Sequence, residues 1–115
     1  MSEGPAFSAA LDWHGAAAVL VVSGEVDMVT APRFEKALTS ALAERPQTLV
    51  VDLDNVEFFA STGLSALVAA YQQAGEDTAV RVVATSSATT RPLEATGLDD
   101  KIPIFASMEL AVAGN

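Results

Sequence analysis

The chain has 115 residues, half of them hydrophobic, with no cysteine and a formal net charge of −9. This length fits one packed domain, residues 1–115 with a core at about 6–113, and the apolar content excludes a disordered chain. The negative balance disfavours nucleic acid and anionic lipid as partners, and the missing thiols exclude cysteine catalysis, disulfides and most structural zinc sites. The opening MSEGPAFSAA has neither the basic start nor the apolar block of a secretory signal. The longest apolar run, residues 16–22, falls short of the roughly 20 residues that cross a bilayer, so a cytoplasmic protein without membrane insertion is expected.

In chain order, AFSAALDWH reads as a strand that pairs with the next through a turn at His14–Gly15, leaving the only histidine solvated. Residues 16–22, apolar on both sides, predict a strand covered on both faces and ending in a polar turn at Ser23–Gly24. Phe34, Ala37, Leu38, Ala41 and Leu42 form one helical stripe, with Thr30 as N-cap, Pro32 in the first turn and Pro46 as terminator. TLVVDLDNV predicts a strand with Leu49, Val51 and Leu53 on one face and Val50 and Asp52 on the other. A second helix follows, with Leu64, Leu67, Val68 and Tyr71 in register and Gly75 as its stop.

TAVRVVATS predicts a further strand, and SATTRPLEATGL a short helix ending at Gly97, in which Pro92 removes a donor unless the helix starts near Thr90. KIPIFAS suits an edge strand because of Pro103, and SMELAVA a terminal helix capped by Ser107. Strands alternating with helices predict an α/β fold whose sequential strands are largely parallel.

Side chains for catalysis are scarce. One histidine and scattered carboxylates make no metal cluster, and DLDNVE lacks the glycine and glutamate of a calcium loop, leaving a strand that ends in a solvated turn. No phosphate-binding loop or basic phosphate cradle is present, and no base is positioned for Ser61 or Ser65 in a G-x-S-x-G turn. The carboxylates Glu25 and Asp27 fit a turn that solvates them. No cofactor and no enzymatic activity are expected. The stretch FFASTGLSALVAAY stands apart, because it places Ser61 and Thr62 at the start of an apolar helix. Ser61 as N-cap would contribute about 1 kcal/mol. As a phosphoacceptor it would add about −1.5 to −2 charges at a helix N-terminus, where free amides and the dipole accommodate an anion.

SGEVD (23–27), VVDLDNVEFFASTGLSAL (50–67) and LEATGL (93–98) resemble, in this order, the motifs of STAS-domain anti-sigma factor antagonists. The resemblance implies a single STAS-like domain: a mixed four- to five-stranded sheet flanked by about four helices. It implies a binding protein that engages an anti-sigma factor, itself a serine kinase of the GHKL type, and so releases a sigma factor. The kinase would phosphorylate Ser61 and switch the antagonist off, and a serine phosphatase would restore it. Gly24, Glu25, Asp27, Met28, Val29, Ala60, Thr62 and Gly63 are the implied partner-binding residues, with Leu64 anchoring the helix inside. A monomer or weak dimer is implied. The chain departs from the pattern at Ala60, where the family carries aspartate, and at Pro92. A second use of the same fold, as a STAS subunit regulating an ABC-transporter ATPase in lipid transport, is the alternative.

Overall fold

In the computed structural model, which describes residues 7–114, five strands form one mixed sheet in the order β1-β2-β3-β4-β5. Strands β1 (Phe7–His14) and β2 (Ala17–Val26) form an antiparallel hairpin. β3 (Thr48–Phe59), β4 (Ala79–Val83) and β5 (Ile104–Phe105) each run parallel to the preceding neighbour. Helices α1 (Ala31–Ala43), α2 (Ser61–Ala74), α3 (Ser87–Ala95) and α4 (Met108–Ala113) complete the fold, with a 3-10 turn at Leu98–Asp100 between α3 and β5.

The sheet divides the apolar interior in two. On one face Leu20, Val22, Leu49, Val51 and Leu53 meet Phe34 and Leu38 of α1, Leu67 of α2 and Leu93 of α3. On the other, Val19, Val50 and Val83 are covered by Ala111 of α4. The Arg81 guanidinium donates to the Ala111 carbonyl at 2.8 Å and ties that short helix to β4. Burial on both faces explains why β2 opens as a continuous apolar run.

Several boundaries differ from the sequence-based expectation. β2 does not turn at Ser23–Gly24 but continues to Val26, and β3 continues to Phe59 rather than ending in a solvated turn. Both extensions are bulged. Between Val21 and Ser23, and again between Gly24 and Glu25, β3 spends one residue more than β2, and Gly24 takes φ 96°. Each extra residue resets the facing, so Leu53, Val56 and Phe59 point inward three positions apart instead of two.

In α2 the deepest face is Gly63, Ala66, Leu67, Ala70 and Ala74, while Tyr71 is exposed and Leu64 and Val68 are only half-buried. Small residues let α2 pack closely against α1 and, at Gly63, against Val26 and Phe59, and the longer side chains lie at the flank. Pro92 lies inside α3, because Ser86 accepts from the Ala88 amide and starts the helix ahead of Thr90. The expected Ser107 cap is in place, accepting from the Leu110 amide at 3.2 Å.

Candidate functional site at the start of α2

The separated motifs 23–27 and 50–67 meet at the carboxyl ends of β2 and β3. Glu25 pairs with Phe58 and Val26 with Phe59, and the Ala60 amide then donates to the Val26 carbonyl at 2.8 Å. Gly63 permits this closeness. A methyl group there would lie 2.7 Å from Phe59 Cε1 and 2.8 Å from Val26 Cγ1, inside van der Waals contact. The Phe59 ring is inward, edge-on to Phe34 with centroids 6.0 Å apart.

The Ser61 cap expected from sequence is not formed. Ala60, extended at φ −84° and ψ 173°, occupies the N-cap position, and its methyl side chain accepts nothing. Its carbonyl accepts from the Gly63 and Leu64 amides at 2.9 and 3.3 Å. Ser61 is therefore the first helical residue, exposed, with no hydrogen-bond partner for its hydroxyl among the described residues. The first amides of α2 face outward with no side-chain acceptor at the cap. Thr62 turns the other way, and its Oγ1 is buried without a partner.

The loop that begins α1 is built around Asp27. Its Oδ1 accepts from the amides of Val29 and Thr30 at 2.9 and 3.0 Å. The Asp27 amide donates to Thr30 Oγ1 at 2.9 Å, and that hydroxyl donates to the Glu25 carbonyl at 2.7 Å. Thr30 thus precedes α1 as expected, but its side chain reaches back to the loop rather than forward to helix amides. These bonds, the Thr30 amide foremost, hold the Asp27 carboxyl below its ordinary pKa. Glu25 belongs to β2, whereas the Asp27 carboxylate fastens the loop that follows.

This rigid loop displays apolar side chains to solvent. Met28 is 79% exposed and Val29 68%. Phe58, 53% exposed, adds an aromatic ring that the sequence reading passed over. The signal was present in the Phe58–Phe59 pair, since adjacent strand residues cannot both face the core. Large exposed apolar groups beside a free hydroxyl suit a protein-binding face.

The two aspartates of DLDNVE serve the fold. Asp52 Oδ1 accepts from the Asp54 amide at 3.0 Å, and Asp54 Oδ1 accepts from the amide and hydroxyl of Thr85 at 2.9 and 3.0 Å. Among the described residues there is no cluster of metal-ligating side chains, and no helix is long and apolar enough to cross a membrane.

The model of the STAS domain matches residues 9–111. The chain belongs to this family. It is 39% identical over 101 residues to the anti-sigma-F factor antagonist RsfB of Mycobacterium tuberculosis, covering 88% of this chain and 83% of that protein. It is 30% identical over 90 residues to the anti-sigma-B factor antagonist of Staphylococcus aureus, covering 77% and 83%. The crystal structure of an anti-sigma factor antagonist from Mycobacterium paratuberculosis superposes with a TM-score of 0.91 at 40% identity, covering 95% of this chain and 93% of that one.

Proposed function

We propose that this STAS protein is an anti-sigma factor antagonist. It binds an anti-sigma factor that is also a GHKL-type serine kinase, and phosphorylation of Ser61 switches it off. Its relatives of 30–39% identity, themselves named anti-sigma factor antagonists, support the binding role. The observation that carries the site is the exposed Ser61 at the start of α2, joined to the end of β2 through the Ala60–Val26 bond, together with the exposed Phe58 of the β2–β3 ladder and Met28 and Val29 of the loop that Asp27 fastens. In this reading Gly24, Glu25 and Asp27 shape the loop, Ala60, Thr62 and Gly63 set the helix start, and the apolar side chains make the contact.

A phosphoryl group on Ser61 would sit at the positive end of α2, within reach of outward-facing amides. The fold tolerates it. The partner would not, because about −1.5 to −2 charges would arrive beside the apolar contact and meet a desolvation penalty on docking. Ala60, which replaces the family's aspartate, removes one carboxylate from that point and so lowers the repulsion the phosphate must overcome.

The test is incubation with the cognate kinase and ATP, read by intact mass, alongside binding of Ser61→Glu and Ser61→Ala. Wild type should gain one phosphate and Ser61→Ala none. Ser61→Glu should lose partner binding while its melting curve stays close to wild type. A glutamate variant that binds as tightly as wild type refutes the switch.

A further inference from the structure

A second interaction surface lies at the outer edge of the sheet, away from Ser61. β1 is the terminal strand of the five-strand order, and its eight residues carry a single formal charge, on Asp12. In an antiparallel ladder each residue turns both backbone groups toward its partner strand or both away. The side-chain bonds reveal which are turned away. The Trp13 amide donates to its neighbour's Asp12 Oδ1 at 2.9 Å, and the Phe7 carbonyl accepts from Arg33 at 3.2 Å. Since β1 pairs with β2 without a bulge, Phe7, Ala9, Leu11 and Trp13 all present their backbone groups outward. Their side chains share the α1 face, where Leu11 is 38% exposed and Trp13 44%.

We propose that this edge pairs with the same edge of a second copy of the chain, antiparallel, with Ala10 on the two-fold axis. Three antiparallel registers centred on this strand differ in what they leave unmade. Centring on Ala9 sets the Leu11 amide against the Phe7 carbonyl, which Arg33 already occupies. Centring on Leu11 sets the Ala9 carbonyl against the Trp13 amide, which Asp12 already occupies. Centring on Ala10 puts Ala9 opposite Leu11 and Phe7 opposite Trp13. The amides of Ala9 and Leu11 then meet the Leu11 and Ala9 carbonyls of the second copy, and the Phe7 amide meets its Trp13 carbonyl. The pair left over is the Phe7 carbonyl and the Trp13 amide, the two groups already satisfied within each chain. Side chains agree with this register. Asp12 faces Ser8 rather than its own copy, and the Phe7–Arg33 end of one chain meets the Trp13–Asp12 end of the other. Opposite charges are therefore brought together although each chain is acidic overall. An edge this short buries little area, which places the dimer in the weak, concentration-dependent class.

The single tryptophan makes the test direct. Wild type is followed from micromolar to millimolar concentration by sedimentation, by Trp13 emission, and by amide hydrogen exchange. Association, a blue shift of Trp13 and slower exchange at Ala9 and Leu11 are expected together. Leu11→Pro removes an outward amide without touching the β1–β2 ladder, and Leu11→Lys keeps the backbone but places like charges across the seam. Each should weaken dimerisation at least tenfold. A monomer at millimolar concentration overturns the proposal, as does a dimer indifferent to both substitutions. If either variant misfolds, the wild-type exchange rates decide, and concentration-independent exchange at Ala9 and Leu11 rejects the seam.

Discussion

The two halves of β3 obey different rules. From Thr48 to Leu53 the strand alternates regularly, with Leu49, Val51 and Leu53 under the large helices and Val50 under α4. From Asp54 to Phe59 it is bulged twice, points inward at every third residue, and exposes Phe58. Regular pleating maximises burial on both faces, whereas bulges give up ladder regularity to aim side chains. One strand therefore supplies the core at its start and the proposed binding face at its end.

This division predicts opposite responses to truncation. Leu49→Ala, at a fully buried position, should cost about 2–5 kcal/mol by chemical denaturation. Phe58→Ala should change stability by only about 0.5 kcal/mol, yet weaken binding of the anti-sigma partner by about 1–2 kcal/mol in calorimetric titration. Equal stability losses at the two positions would erase the distinction between the halves.

The same contrast marks what the sequence made legible. The apolar runs at 16–22 and 49–51 announced their strands because burial on both faces leaves no polar interruption there. The stripe from Phe34 to Leu42 and the Ser107 cap were equally plain. The far end of β3, where the binding face is proposed, was not. Ser23, Gly24, Asp54 and Asn55 read as turn residues, whereas they occupy the bulged stretch of an unbroken ladder. The rotation of α2 was missed for a related reason, since periodicity weighs large side chains and this helix buries small ones. At Ser61 the motif gave the residue but not its place, because helix start and N-cap differ by one position and Ala60 carries no polar mark of a cap.

Gly63→Ala sharpens the comparison at the junction of strand and helix. Its added methyl must displace Phe59 or Val26, so a loss of about 1–3 kcal/mol is expected together with slower phosphorylation of Ser61. Wild-type stability and kinetics in this variant would mean that the close approach is dispensable.

A smaller effect should come from the loop. The Asp27 carboxyl is held below its ordinary pKa by bonds it accepts when ionised, so its stabilisation is complete above the unfolded group's pKa. It is lost as pH falls through the lower folded value. Asp27→Asn should accordingly flatten the acid limb of the stability curve, measured by denaturation at successive pH values. An unchanged acid slope would assign that limb to other carboxylates.

Gly63, Ala66, Ala70 and Ala74 bring α2 close against its neighbours, and this has a consequence for how information travels through the proposed switch. A helix seated on small side chains has few rotamers to rearrange, so a charge added at its first residue finds no second packing to select. The message would be written in electrostatic potential on a fixed shape. Its strength should then follow ionic strength, fading as salt shortens the reach of the phosphate's field while the backbone stays in place.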